Sequence, residues 1–387
     1  MRERRQGSVD PVRMLLPDIS CNMASSAARP RWGDRPPPAW RARHAANCPE
    51  EKFDARVPRS WRLPSHPDVK ALGRTRVDVG VVTWNTAELT ASALRKLFDT
   101  DQGVELRVLV HDNASSDGTP DAVARAVPEA IIEVGPHNLG FAAAMNRLIA
   151  RSDAPWFLAL NSDAWPKSGA VGALVQAAER EPRAAAVAPR LERPDGTLEH
   201  STHRFPSVKV AAMSAFDLQR WMGHRGEDLL LHGAWLHDRP RPVDWAVGAA
   251  LLMRRQALDD IGGFDERFFM YVEDLEWCWR AREQGWLVLF EPTAIVCHVG
   301  NASGEAGYGR TRSAAYFRNT YRFYRRHHSR VSSVAYRAWN LVGSARICGQ
   351  GIIRRDWGLI RYGRDQLLVH VRPVRGPDGP PHRGAGQ

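Results

Sequence analysis

Apolar and polar positions alternate along this chain in blocks whose period switches between strand-like and helix-like. The run Val77-Asp78-Val79-Gly80-Val81-Val82-Thr83 is short, β-rich and stops at Trp84-Asn85. Residues 88–98 follow with helical spacing. A second strand is predicted over 106–110, ending in His111-Asp112-Asn113, and Thr119 is predicted to cap a helix whose first residue is Pro120. A third strand is predicted over 130–134. Phe141, Ala144, Met145 and Leu148 form the apolar stripe of the next helix, and 156–160 is a fourth strand. Strands alternating with helices at this spacing predict βαβ units and a mainly parallel central sheet flanked by helices. Ligands of such sheets bind beyond the carboxyl ends of the strands. Polar residues stand at those ends here: Thr83-Trp84-Asn85, Asp112-Asn113 and Asn161-Ser162-Asp163.

The second half reads differently. Residues 245–253 form a longer apolar, strand-like run closed by Arg254-Arg255, and Gly262-Gly263-Phe264-Asp265-Glu266 is a turn. A helix opens at Glu273-Asp274 and ends near Gly285. It carries Leu275, Cys278, Trp279 and Arg282 on one side and places Glu276 one turn before Arg280. Two short strands are predicted over 286–290 and 294–298. Past Gly304 the chain is basic and helical, with Tyr316, Phe317, Tyr321, Phe323 and Tyr324 set among Arg318, Arg322, Arg325 and Arg326. Three parts follow: an Arg- and Pro-rich leader over 1–75, an α/β domain over 76–303, and a basic helical extension and tail over 304–387. The leader has no period and reads as disordered, or as translated sequence upstream of the true start.

Composition narrows the classes. The chain has 387 residues and a formal charge of +11, and only five of its 54 basic residues are Lys. Arginine forks suit diphosphate contacts, although an Arg-biased composition accounts for the same count. The basic residues gather in the leader and the tail, outside any nucleic-acid-binding motif, so no nucleic-acid partner is expected. Five scattered cysteines without a C-x-x-C pair argue against a disulfide framework or a zinc site and fit a reducing compartment. Cys278 and Cys297 are expected as small core residues. Met14-Leu15-Leu16 is broken by Pro17 and Asp18, so no signal peptide is expected, and no run has the length of a membrane span. The expected location is cytoplasmic, peripheral on the inner face of the plasma membrane. The aromatic and Arg-rich segments 312–326 and 352–362 are the candidate contacts with an anionic lipid surface; packing on the α/β domain is the alternative.

Candidate chemistry centres on acidic residues at element ends. Asp274 stands in the first turn of a helix after an apolar run, where N–H dipoles keep a carboxylate ionised and fit to take a proton from a hydroxyl; helix capping is its other reading. Asp112, in the loop Asp112-Asn113-Ala114-Ser115-Ser116-Asp117-Gly118-Thr119, suits the imide N–H of a pyrimidine or a ribose hydroxyl, or turn chemistry alone. Asp117 is assigned a structural role. Asn138-Leu139-Gly140-Phe141 opens a helix where Gly140 allows close backbone approach and free N–H groups face a phosphate. Asp163 suits a hard divalent cation bridging a diphosphate, and His298 completes that site, meets a leaving phosphate, or is structural.

Taken in order, several segments resemble the inverting family-2 glycosyltransferases of the GT-A fold, especially the rhamnosyltransferase-like branch. They are 81–85, 112–119, 138–141 with Asn146, 160–164, 248–255, 262–266, 269–280 and His298, and they span roughly 77–303. The resemblance implies an α/β GT-A domain in which Asp112 recognises the base and Thr83, Trp84, Asn85, Asn138, Gly140, Asn161 and Ser162 line the nucleotide site. Asp163 then ends a D-x-D-type metal motif whose first Asp is replaced by Asn161, and Asp163 with His298 holds Mg2+ or Mn2+. Asp274 becomes the catalytic base, with Gly248, Ala249, Glu273 and Trp277 on the acceptor side. The implied donor is dTDP-rhamnose or a UDP-sugar. The implied acceptor is a glycan, a glycolipid or a polyprenyl-linked sugar, with a small secondary metabolite as the alternative. A nucleotide-dependent oxidoreductase is disfavoured because no G-x-G-x-x-G turn follows the first strand. A non-catalytic nucleotide-sugar-binding protein is disfavoured because Asp112, Asp163 and Asp274 are all retained.

Overall fold

The computed structural model describes residues 75–218, 237–300 and 312–372. The leader up to residue 74 and the tail beyond 372 therefore lie outside the described residues. Twelve strands alternate with ten helices among those described. They run β1 (Arg76–Thr83), α1 (Ala87–Phe98), β2 (Glu105–Asp112), α2 (Thr119–Ala126), β3 (Ile131–Val134), α3 (Gly140–Arg151), β4 (Trp156–Asn161), β5 (Ala164–Pro166), α4 (Ala170–Arg180), β6 (Ala184–Glu192), β7 (Leu198–Glu199), β8 (Thr202–His203), α5 (Val208–Phe216), β9 (Arg241–Val243), β10 (Trp245–Ala246), β11 (Ala250–Arg254), α6 (Arg255–Ile261), α7 (Glu273–Glu283), β12 (Leu287–His298), α8 (Arg312–His327), α9 (Arg330–Arg354) and α10 (Trp357–Val371).

The main sheet has the order β3-β2-β1-β4-β11-β6-β12-β5. Its parallel ladders are β1 with β2, β1 with β4, β2 with β3, and β6 with β12. Val77, Val79, Val81, Val108, Leu109, Val110 and the run Phe157 to Leu160 are almost wholly buried, which is why these near-continuous apolar segments form interior strands. The register sets Thr83 opposite Asp112 and Val82 opposite Asn161, so the predicted polar strand ends share one edge of the sheet.

Three local expectations are corrected. Gly118, with φ +80°, precedes α2 in the cap position, and Thr119 is its first helical residue. The apolar run 245–253 is two strands, β10 and β11, separated at 247–249; β11 lies antiparallel to both β4 and β6. The two strands predicted over 286–298 are one, β12, whose register against β6 shifts between Glu291 and Ile295.

Helix α8 separates the two readings of segment 312–326. Its aromatic residues Tyr316, Phe317, Tyr321, Phe323 and Tyr324 are each no more than 9% exposed and belong to the main core cluster. They pack on the α/β domain and offer no surface to a membrane. Among the described residues no helix is long and apolar enough to cross one.

Candidate active site

The first two strand ends are joined by their own loops. Asp112, fully buried, accepts from Thr83 Oγ1 at 2.8 Å, from Ser115 N at 2.8 Å and from Ser115 Oγ at 2.6 Å. Asn85, in the left-handed region at φ 52°, donates its N–H to Ser115 Oγ and accepts from Ser116 N at 2.8 Å. Asp117 accepts from Ala87 N and Thr119 N, the structural role expected of it. Trp84 is half-buried between these bonds. The small polar side chains thus satisfy each other across two loops and hold Asp112 still.

Helix α3 begins beside them. Asn113 accepts from Leu139 N and donates to Gly140 O, both at 3.1 Å. Gly140 N donates to Asn138 Oδ1, and Phe141 N donates to Phe269 O at 2.8 Å. These three N–H groups are already committed, so the expectation that they face a phosphate is corrected. Gly140 is required for another reason. Its φ is +82°, and a Cβ there would stand 2.3 Å from Phe269 O. The position is a joint between α3 and the segment that leads to Asp274.

At the end of β4, Asn161 N donates to Ala249 O at 2.9 Å, and its side-chain amide lies 3.4 Å from His298 Nε2. Ser162 and Asp163 are buried. His298 Nε2 stands 3.3 Å from Asp163 Oδ1, while Nδ1 lies 3.0 Å from Glu199 Oε2. Burial alone would lower the His298 pKa, but the Asp163 and Glu199 carboxylates outweigh it and hold the imidazole up at about 10. The donor set tests whether a divalent cation fits. Asp163 Oδ1 and His298 Nε2 converge, and Glu199 on Nδ1 orients the ring as a carboxylate behind a metal-bound histidine does. Among the described residues no group of three or more His, Cys, Asp or Glu side chains could hold a metal. The fit is therefore of two protein ligands, with the remaining positions left to diphosphate and water oxygens, as Mg2+ commonly accepts. A proton and a cation compete for Nε2.

The opposite wall is built on the turn before α7. Tyr271 and Val272 are both left-handed, at φ 72° and 78°. Such a conformation is costly for a β-branched residue and persists only when the surroundings impose it. Two neighbours do so. Phe141 N bonds Phe269 O from α3, and Asn319 of α8, fully buried, donates its amide to Met270 O at 3.0 Å and Tyr271 O at 3.2 Å. Arg322 donates to Asn319 Oδ1 at 2.7 Å and so fixes which way that amide points. Val272 then serves as the N-cap of α7, placing Glu273 and Asp274 in its first turn.

Asp274 accepts from Gly248 N at 2.8 Å and from Leu275 N at 2.7 Å. Burial pushes its pKa up to about 6, against the pull of those two N–H groups. The residue as a whole is half-buried. Gly248 follows β10, Ala249 is buried, and the carbonyl of Ala249 receives Asn161 N. Asp274, Gly248, Ala249, Asn161, His298 and Asp163 are thereby linked by consecutive contacts. Glu273 is buried beside this line. Trp277 is fully buried, its indole N–H on Gly262 O at 2.9 Å, and serves the packing beneath the site. Glu276 pairs with Arg280 at 2.9 Å as the spacing predicts. Sequence reasoning missed Glu199 and Asn319. Neither lies in a recognisable motif, and each is brought in from a distant element.

Acidic and amide residues thus gather at the strand ends of the α/β sheet, and Asp274 is joined to them through Gly248 and Ala249. The family model described as "Glycosyl transferase family 2" matches residues 78–262. The chain is 34% identical over 282 residues to the Mycobacterium tuberculosis N-acetylglucosaminyl-diphospho-decaprenol L-rhamnosyltransferase, covering 68% of this chain and 88% of that protein. It is 30% identical over 249 residues to the pre-mycofactocin glycosyltransferase of the same organism, covering 64% of this chain and 46% of that one. Among solved structures, a mannosyltransferase from Pyrobaculum calidifontis in complex with GDP-Man and Mn2+ matches with a TM-score of 0.48 at 17% identity, over 80% of this chain and 89% of that one. The chain belongs to glycosyltransferase family 2. It is an enzyme of that family, with a mixed α/β architecture and C-terminal helices.

Proposed function

We propose that this enzyme transfers L-rhamnose, with inversion, from dTDP-rhamnose to a hydroxyl of a sugar carried on a polyprenyl diphosphate. UDP-sugars are the second donor class. Asp274 is the general base. It takes the proton of the acceptor hydroxyl as that oxygen bonds to the anomeric carbon, while the bond from that carbon to the diphosphate oxygen breaks and the nucleoside diphosphate departs. The observation that carries the reading is the contact line from Asp274 through Gly248, Ala249 and Asn161 to His298 and Asp163. It joins the Asp274 carboxylate, whose pKa burial pushes up to about 6, to residues suited to a diphosphate, which supports this reading. Asp112, held by Thr83 and Ser115, reads the pyrimidine. Asp163 and His298 are the residues that would hold Mg2+ or Mn2+, and such an ion, when bound, supplies positive charge to the departing diphosphate. The name of the mycobacterial relative supports both the sugar and the lipid-borne acceptor. The reaction takes place at the cytoplasmic face of the plasma membrane.

The test uses dTDP-rhamnose with N-acetylglucosaminyl-diphospho-decaprenol. Asp274→Asn should lower turnover by at least ~100-fold, the usual span of general-base catalysis, and leave dTDP-rhamnose binding by calorimetry unchanged. Unchanged turnover would remove Asp274 from the mechanism. A product whose anomeric configuration matches the donor's, read by NMR, would remove inversion.

A further inference from the structure

The corner between α9 and α10 is built as a protruding apolar tip. Ile352 is 65% exposed, Ile353 84% and Trp357 78%, three large apolar side chains within six residues. Arg354, Arg355 and Asp356, all exposed, separate them, and the exposed Arg361 lies one turn further on. The corner is firmly made. Arg355 is left-handed at φ 56°, its N–H donates to Ile352 O, and Asp356 N donates to Gly351 O at 2.9 Å. Asp356 Oδ1 accepts from Leu359 N at 3.0 Å and caps α10. The two helices close tightly behind it: a Cβ on Gly351 would stand 2.8 Å from Ile360 N, and one on Gly363 would stand 2.7 Å from Cys348 Sγ. Folding has therefore fixed this corner with its apolar side chains turned outward, while Ile347 and Leu359 nearby are buried.

We propose that the α9–α10 corner docks this protein on an anionic lipid surface. Ile352, Ile353 and Trp357 enter the boundary between headgroups and acyl chains, and Arg354, Arg355 and Arg361 meet the lipid phosphates. Two features select a lipid over a protein partner. A convex corner of three side chains falls well short of the ~800 Å2 that each partner buries in a stable protein interface, whereas a bilayer accepts a point insertion. Apolar residues interleaved with Arg, and a Trp among them, match the layered chemistry of a membrane interface, apolar below and negatively charged above. Neither half suffices alone, since stable attachment takes an apolar and an electrostatic contribution together. The inference extends the lipid-linked acceptor reading above, and its test stands apart from that reading.

The full-length protein is sedimented with vesicles of equal parts phosphatidylglycerol and phosphatidylethanolamine, and with phosphatidylcholine vesicles. Binding is expected to the anionic vesicles and to fall as salt rises. The combined variant Ile352→Ser, Ile353→Ser, Trp357→Ser should bind at least about tenfold more weakly. Arg354→Glu with Arg355→Glu should lose the preference for anionic vesicles. The five positions are exposed, so circular dichroism should report an intact fold. Failure of the wild type to bind, or equal binding by the triple variant, overturns the proposal. So does a concentration-dependent dimer that the triple substitution abolishes, which would assign the tip to a second copy of the chain. Asp274→Asn should bind vesicles as the wild type does, so loss of docking and loss of the catalytic assignment are separate results.

Discussion

The two walls of the site are assembled by opposite means. On the proposed nucleotide wall, Thr83 and Ser115 bond Asp112 directly, Asn85 bonds Ser115 and Ser116, and Asp117 bonds Ala87 and Thr119, all within one βαβ unit. On the base wall, Asp274 reaches its position through a strained turn that local chemistry does not favour. Asn319, 48 and 49 residues further on, and Phe141, well over a hundred residues earlier, impose it. The first wall is made by turn-forming residues that would adopt similar bonds in many contexts. The second exists only when two remote elements close on Met270, Tyr271 and Phe269. The first arrangement is robust to local change, and the second is sensitive to changes far away.

Asp274 gives the largest test of that contrast. Its removal should act on turnover, as above, and leave donor affinity alone. Its ionisation adds a second measurement. On the proposed mechanism activity requires the carboxylate, so kcat should rise with pH and level off above about 6. Stability should move the other way. Below the ordinary value of 3.8 the carboxyl is neutral in folded and unfolded chains. Above it the unfolded chain ionises freely, while the folded protein resists until about 6. Unfolding free energy should therefore fall by up to about 3 kcal/mol across that window. Chemical denaturation at pH 4.5 and 7.5, compared with Asp274→Asn, would isolate this contribution; equal pH dependence in the two proteins would deny it.

Asn319→Ala comes next. It frees two carbonyls and lets the left-handed turn relax, and displacement of a reacting group by about 1 Å costs on the order of 100-fold in rate. Turnover should fall by about that much with little change in the donor KM. The acid limb of the kcat profile should shift below 6 as water reaches Asp274. A variant that lowers kcat and donor affinity in parallel, with an unmoved acid limb, would mean that Asn319 serves only general folding and that the two walls are not separable.

Asp112→Asn should show the reverse pattern. One carboxylate oxygen that now accepts from Thr83 and Ser115 becomes a donor, a loss of about 1–3 kcal/mol. The effect is expected in donor KM and nucleotide affinity rather than in the pH profile. Asn85→Ala should be the mildest change, about 1 kcal/mol of stability from the lost bond to Ser116 N and the left-handed backbone, measured by thermal unfolding.

What the sequence made legible divides along the same line. The parallel strands, their polar ends and the role of Asp117 rest on apolar periodicity and turn residues, which are local properties. The order of motifs carried the family resemblance, and the comparisons establish that family. The features that escaped reading are those decided by contacts between distant elements. The apolar run 245–253 gives no sign that it is cut at Gly248, where the backbone N–H turns to Asp274. Val272 has no local reason to be left-handed. Gly140 looks like a phosphate-approach glycine until Phe269 is seen against it. The aromatic residues of α8 alternate with Arg in a pattern equally suited to a membrane and to a core, and only packing separates the two.

Asn319 carries a consequence for the order of biosynthesis. A nascent chain emerging from the ribosome contains Asp112, Asp163 and even Asp274 well before it contains α8. The nucleotide wall has all its bonding partners by then, whereas the turn at Tyr271–Val272 still lacks the amide that pins it. Synthesis at about 5–20 residues per second leaves the partial chain several seconds in that condition. On the function proposed above, a chain in that interval would hold its donor-side residues before its base is seated, and turnover would wait for α8.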